Sequence, residues 1–204
     1  MPPKELNRRL SKFEARIDAL ANIIGQFAGG KNSDAYGVYT VERALIQLQI
    51  EWELFVRNLI LDCATGKYKN KLGVVYSKVN CDLHNREKAC YFLLSNYKRN
   101  KVEPDWYLPN EAVKAAIFLD VSNIATISAQ LGLSPWVIDD LRYVRNFIAH
   151  RSKRSALKLR EIGLVTFHES ISTVNVAYSF HASGERNYLV WSKFMKFVAG
   201  NLVA

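Results

Sequence analysis

The stretch Leu133-Ser134-Pro135-Trp136-Val137-Ile138-Asp139-Asp140-Leu141-Arg142-Tyr143-Val144-Arg145-Asn146-Phe147-Ile148-Ala149-His150 decides how this chain is read. Val137, Leu141, Val144, Phe147 and Ile148 recur at three- and four-residue steps, so at about 100° per residue they share one arc of a helix. Asp139, Arg142, Asn146, His150 and, further on, Lys153 fall on the opposite arc, with Arg145 at the boundary. Ser134 followed by Pro135 is the signature of an N-cap and a first helical residue, and the helix is expected to run to about Lys153. Asn146 and His150 are one turn apart. The long stem of Arg145 reaches toward their side. An ordinary solvated helix face has the same layout, and a histidine near a helix C-terminus is favoured by the macrodipole. What departs from that reading is the density of donors. Arg142, Arg145, Asn146, His150, Arg151, Lys153 and Arg154 crowd one stretch, with Lys158 and Arg160 soon after.

Outward from this stretch the chain reads as helices. Leu6, Leu10, Phe13, Ile17, Leu20, Ile24 and Phe27 predict an amphipathic helix from about Lys4 to Phe27, stopped by Gly29-Gly30. Tyr39 to Ala64 is richer in apolar residues and reads as the central helix of a bundle. Lys67-Tyr68-Lys69-Asn70-Lys71 is a basic loop, either solvated or phosphate-binding. Asn85 to Tyr97 predicts a shorter helix, Arg99 to Pro109 a loop, and Asn110 to Leu131 a helix stopped at Gly132. Val174, Val176, Tyr178 and Phe180 alternate with Asn175, Ala177 and Ser179, which is strand periodicity. With a turn at Ser183-Gly184 and a return over Tyr188 to Trp191, a small β-hairpin is expected near the C-terminus. Trp191 to Leu202 closes the chain as a helix. The expected fold is all-α: a helical bundle over residues 1–160, with residues 161–204 packed on the same domain.

Composition bounds the function. A chain of 204 residues buries roughly 70% of its unfolded surface and needs no staples. The net charge of +9 favours a polyanionic partner, nucleic acid before membrane, against the plainer reading of a basic soluble protein. Cys63, Cys81 and Cys90 are an odd count without metal-ligand spacing, so they read as free thiols in a reducing compartment. No signal peptide or apolar run of membrane-spanning length is visible, and a cytoplasmic location is expected. His84, His168 and His181 lack partner patterns. No metal or cofactor is expected, because no ligand cluster, Walker-type loop or Gly-x-Ser-x-Gly elbow occurs.

A helical bundle with Arg-Asn-x-x-x-His late in the chain resembles the HEPN superfamily, whose ribonuclease members carry Arg and His on one helix, often with Asn after the Arg. Leu141 to His150 matches that element. Gln49-Ile50-Glu51-Trp52-Glu53-Leu54-Phe55-Val56 is similar to an early-helix element of the bacterial defence and toxin branches. Ala129-Gln130-Leu131-Gly132-Leu133 is similar to the approach into the motif helix. The resemblance spans roughly residues 4 to 155. One departure is Ser152, where the branch regulated by nucleotidyl transfer carries Tyr two residues after the His. That regulation is therefore not carried over.

The resemblance implies a metal-independent endoribonuclease in which a ribose 2′-hydroxyl attacks the adjacent phosphorus, leaving 2′,3′-cyclic phosphate and 5′-hydroxyl ends. His150 would transfer protons, an imidazole being suited to this near neutral pH. Arg145 would offset charge on the phosphoryl oxygens, and Asn146 would orient the imidazole or the phosphate. Glu53 would position the Arg or simply face solvent. Arg142 would bind phosphate or pair only with Asp139. Arg151, Lys153 and Arg154 would hold RNA. One imidazole does not easily serve as both base and acid, and HEPN nucleases pair two motif helices, so the implied assembly is a homodimer. An antitoxin or a sensor or activator chain is a further implied partner. The alternatives are a non-catalytic RNA-binding or scaffold module and a subunit activated by a partner.

Overall fold

The computed structural model describes residues 2–28, 34–79, 81–97, 101–134, 136–165 and 171–204. In chain order these form β1 (Lys4–Glu5), a 3-10 turn (Leu6–Arg9), α1 (Leu10–Ala28), α2 (Ala35–Ala64), β2 (Tyr68–Asn70), β3 (Gly73–Val75), α3 (Arg86–Asn96) and α4 (Pro109–Phe118). α5 (Ile124–Leu131), α6 (Asp139–His150), α7 (Lys153–Glu161), α8 (Thr173–Tyr178) and α9 (Asn187–Val203) follow. Among the described residues the fold is all-α with one small sheet. No helix among the described residues is long and apolar enough to cross a membrane. Gly29-Gly30, Arg99, Pro135 and His168 lie outside the described residues.

The chain divides into two compact units. One comprises residues 1–13, 52–134 and 197–204, the other 14–51 and 135–196. In the first, β1 pairs in parallel with β2, and β2 pairs antiparallel with β3. Its core includes an aromatic cluster in which the Phe13 ring lies 4.4 Å from Phe55 and 6.2 Å from Trp52. Two carboxylates pin its segments together. Asp62, with a side chain 3% exposed, receives Arg86 at 2.5 and 2.9 Å and Arg9 at 2.7 Å, tying α2 to α3 and to the N-terminal turn. Burial pushes the Asp62 carboxyl up to about 6, against the pull of Arg9. Glu103 takes a two-pronged hydrogen bond from Arg57 at 2.6 and 2.8 Å and one from the Trp106 indole at 2.8 Å, which fastens the irregular chain before α4 to α2. The Arg57 hydrogen bond holds the Glu103 carboxyl down at about 2.

The single helix expected over Asn110 to Leu131 is broken into α4 and α5. Asp120 turns left-handed at φ 43°, and the freed backbone pairs with the chain after β3. Lys78 N–H donates to Asp120 O at 3.0 Å, Ser122 N–H to Tyr76 O at 2.8 Å, and the Ser77 hydroxyl to Leu119 O at 2.6 Å. Hydrogen bonds from distant chain thus replace the local ladder, and periodicity alone does not register such a trade.

In the second unit Leu141, Val144 and Phe147 of α6 are buried, as the sequence predicts. Trp136 meets Phe194 edge-on at 5.5 Å, and the Trp191 indole donates to Asp140 at 3.2 Å. Asn187, fully buried, donates to Leu164 O at 3.1 Å and Val176 O at 2.8 Å, so its amide joins two backbone segments that precede α9. The expected strand over Val174 to Phe180 is instead α8 followed by a turn. Ser172 caps it by accepting the Asn175 N–H at 3.1 Å, and Thr173, Val174, Val176 and Ala177 are all buried. Alternation marks a strand only when one face meets water, and here the apolar and small residues are covered all round. The expected hairpin shrinks to one antiparallel bridge, Phe180 with Arg186, around the Ser183-Gly184 turn. Tyr188 to Trp191, expected to pair back as a strand, is the start of α9.

Burial raises the Asp140 carboxyl to about 6, although Trp191 donates to it. An acid raised on folding adds stability while protonated, below its unfolded value, and that contribution is lost as pH climbs through about 6. Asp140→Asn, whose amide oxygen still accepts from Trp191, is therefore expected to stabilise the protein at pH 7.5 and not at pH 4. At about 1.4 kcal/mol per unit, less the helix-dipole benefit of an acid in the first turn and solvent screening, the gain is about 1–2 kcal/mol. Urea unfolding at the two pH values checks it; equal effects at both would refute the assignment.

Candidate functional site

α6 ends at His150, three residues earlier than its periodicity suggests, because Arg151 adopts φ 44° and ψ 31°. This left-handed cap sends the Arg151 N–H back to Phe147 O at 2.9 Å. Glycine usually occupies such a position, and a residue with a Cβ pays roughly 1 kcal/mol to sit there. The next residue, Ser152, starts α7. Its hydroxyl accepts the Ser155 N–H at 3.1 Å, and the Ser155 hydroxyl accepts the Ser152 N–H at 3.2 Å, a reciprocal cap. Ser152, where the resembling branch has Tyr, is thus occupied in turning the chain.

The turn folds α7 against α6 and opens a cleft of about 580 Å³ between them. Tyr143, Asn146 and His150 line it from α6. Ser152, Arg154, Ser155, Lys158 and Glu161 line it from the turn and α7. The three α6 residues stand at steps of three and four, so they form one face. Asn146 and His150 are exposed, with donors and acceptors available to a ligand. Across from them the Lys158 ammonium is 5.8 Å from the Tyr143 ring centroid and 3.1 Å from Glu161. Arg154 adds a second cation. An imidazole, an amide, hydroxyls, the Arg154 cation and a Lys158–Glu161 ion pair surround an open cleft, which suits an anionic ligand that carries a proton to be moved.

Asn146, His150 and Arg154 line the cleft together, whereas Arg142, Arg145, Arg151 and Lys153 of the same unit are not among the residues that line it. Arg145 is exposed on α6 but is not among the residues lining the cleft; it is about 100° from Asn146 around the helix. Glu53 is half-buried on α2 in the first unit, and both it and Arg145 have interactions of their own. Arg142 pairs with Asp139 at 3.1 Å and with the Tyr143 hydroxyl at 3.0 Å, its guanidinium 4.8 Å from the Tyr143 ring centroid. Arg151 gives a terminal nitrogen to Glu42 at 2.5 Å. Lys153 stands exposed at the first position of α7, off the arc where a continuous helix would put it.

Tyr143, Ser155 and Lys158 line the cleft without having been singled out as site residues. Tyr143 was legible from its three-residue step to Asn146. The Ser152-x-x-Ser155 pair was a cap signal for a new helix. No family model matches the chain, and no curated protein or solved structure matches it either.

The cleft cations make a quantitative expectation. If single-stranded RNA binds in this cleft, Arg154→Ala should weaken binding of a short fluorescent strand and flatten the plot of log affinity against log salt by about 0.7. Lys193→Ala, which removes a cation paired with Glu185 outside the cleft, should leave the slope alone. Equal slopes for wild type and Arg154→Ala would take RNA out of this cleft.

Proposed function

We propose that this chain is a metal-independent endoribonuclease of the HEPN type, acting in anti-phage defence or as a toxin. The observation that carries the reading is the placement of Asn146 and His150 side by side in an open cleft whose facing wall supplies Arg154 and Lys158. In this reading the cations hold the phosphate. His150 takes the 2′-hydroxyl proton or gives one to the leaving 5′-oxygen. The 2′-oxygen forms its bond to phosphorus as the bond to the 5′-oxygen breaks. Asn146 keeps the imidazole or a phosphate oxygen in register.

A second proton-transfer group and Arg145 remain to be brought to the phosphate. A homodimer supplies both, because a second copy presents its own α6. The function would then belong to the dimer, under the control of an antitoxin or activator chain. One observation favours a different reading. Arg145 stands outside the cleft that holds His150, which suits a binding or scaffold module that uses the cleft without cutting.

Incubation with total RNA in EDTA, followed by end-group analysis, separates the two. Wild type is expected to leave 2′,3′-cyclic phosphate ends. His150→Ala should lose about 10²–10⁴-fold in rate, and Arg145→Ala should lose activity as well. Both side chains are exposed, so circular dichroism of the variants should match wild type. Intact RNA at concentrations where wild type binds it would support the binding module or a subunit awaiting its activator.

A further inference from the structure

Glu42 lies in the first half of α2 among Val41, Ala44 and Leu45, and is itself only 7% exposed. A carboxylate in such surroundings is kept only with partners. Its Oε1 accepts from two groups far along the chain, the Arg151 guanidinium at 2.5 Å and the Thr173 hydroxyl at 2.7 Å. Thr173, 1% exposed, is the first residue of α8. Arg151 is the left-handed residue between the two walls of the cleft. All three belong to the second unit.

These facts combine in one way. The conformation of Arg151 fixes where α6 stops, with His150 as its last residue, and where α7 starts, with Ser152 as its cap. Nothing in the backbone preference of an arginine selects that conformation. Its side chain is selected, because the guanidinium meets a buried carboxylate that needs a donor. We propose that Glu42 is a positioning residue: by holding Arg151 in the left-handed turn it sets the His150 imidazole against the cationic wall of α7. Arg151 accordingly acts through the turn rather than on a ligand. The catalytic consequence rests on reading His150 as the proton-transfer group; the positioning does not.

Glycine adopts the left-handed turn without help, and alanine does not. That difference is the test. Arg151→Ala, Arg151→Gly, Glu42→Leu and the double variant Glu42→Leu/Arg151→Gly are compared by the ring resonance of His150 in histidine-labelled protein, and by kcat and KM for RNA cleavage. Arg151→Ala and Glu42→Leu should move the His150 resonance and lower kcat about ten- to a hundredfold with KM changed less than about twofold. Arg151→Gly should keep the resonance and exceed Arg151→Ala in kcat by about tenfold. The double variant should recover the resonance that Glu42→Leu loses. Any direct contact of Arg151 with RNA is lost equally in the alanine and glycine variants, so it cannot produce that gap.

The proposal is overturned if Arg151→Ala and Arg151→Gly behave alike, or if the double variant stays as displaced as Glu42→Leu. If Glu42→Leu does not fold, the alanine–glycine pair decides alone. If wild type cleaves nothing while the resonance pattern holds, the ribonuclease reading falls and the positioning role stands.

Discussion

A single residue in a conformation unfavourable to its own side chain shapes the cleft. Arg151 ends one helix and hands the chain to the next within two residues. An ordinary helical continuation would have carried α6 to about Lys153 and kept Arg142, Asn146, His150 and Lys153 on one solvated face. The reversal instead turns a linear row of polar residues into two facing walls. The imidazole, amide and phenol stand on one wall and the cations on the other. The interaction that makes the reversal tolerable is an ion pair to a buried acid, which also takes the hydroxyl of Thr173.

The same device recurs. Asp62 gathers Arg9 and Arg86, and Glu103 gathers Arg57. In each case a carboxylate on or beside a helix takes guanidinium from a distant segment. Arginine suits this, since its planar fork matches a carboxylate and its weaker hydration lowers the cost of partial burial. A pair on a buried carboxylate such as Asp62 adds little net stability over an apolar contact, but breaking it leaves an uncompensated charge. The contribution of these pairs here is to fix which segments meet. It follows that the count of 28 Lys and Arg overstates the cations free to meet a ligand, whereas the net charge of +9, which already subtracts their acidic partners, is unchanged by the pairing.

The sequence made the helical bundle legible because apolar residues at steps of three and four are a direct projection of a buried stripe. α1, α2, α3 and α6 were found this way, and the start expected at Asn85 coincides with a cap that accepts the Lys88 N–H at 2.8 Å. The failures share a cause. α8 is buried on too many sides for its pattern to separate helix from strand. The break between α4 and α5, and the stop at His150, are set by hydrogen bonds to residues remote in sequence. At the site, Asn146, His150 and Arg154 were legible because they lie within one or two turns of each other. The commitment of Arg151 to Glu42 was not, since it depends on where a helix ends in space, whereas the placing of Arg145 off the cleft follows from its step of about 100° from Asn146 around α6.

The cleft is also unusually local. Every described residue that lines it lies between Tyr143 and Glu161, so its two walls form from neighbours in sequence, with little chain entropy to overcome. The tie that fixes the turn between them runs to Glu42, 109 residues away. Contacts of such separation form late when chains fold, and local ones early. The walls are thus expected to exist as a loosely hinged pair before the bundle is complete, and the last long-range closure to lock them at their working angle. A folding intermediate of this protein would hold all the groups of the site and lack the geometry that makes them useful.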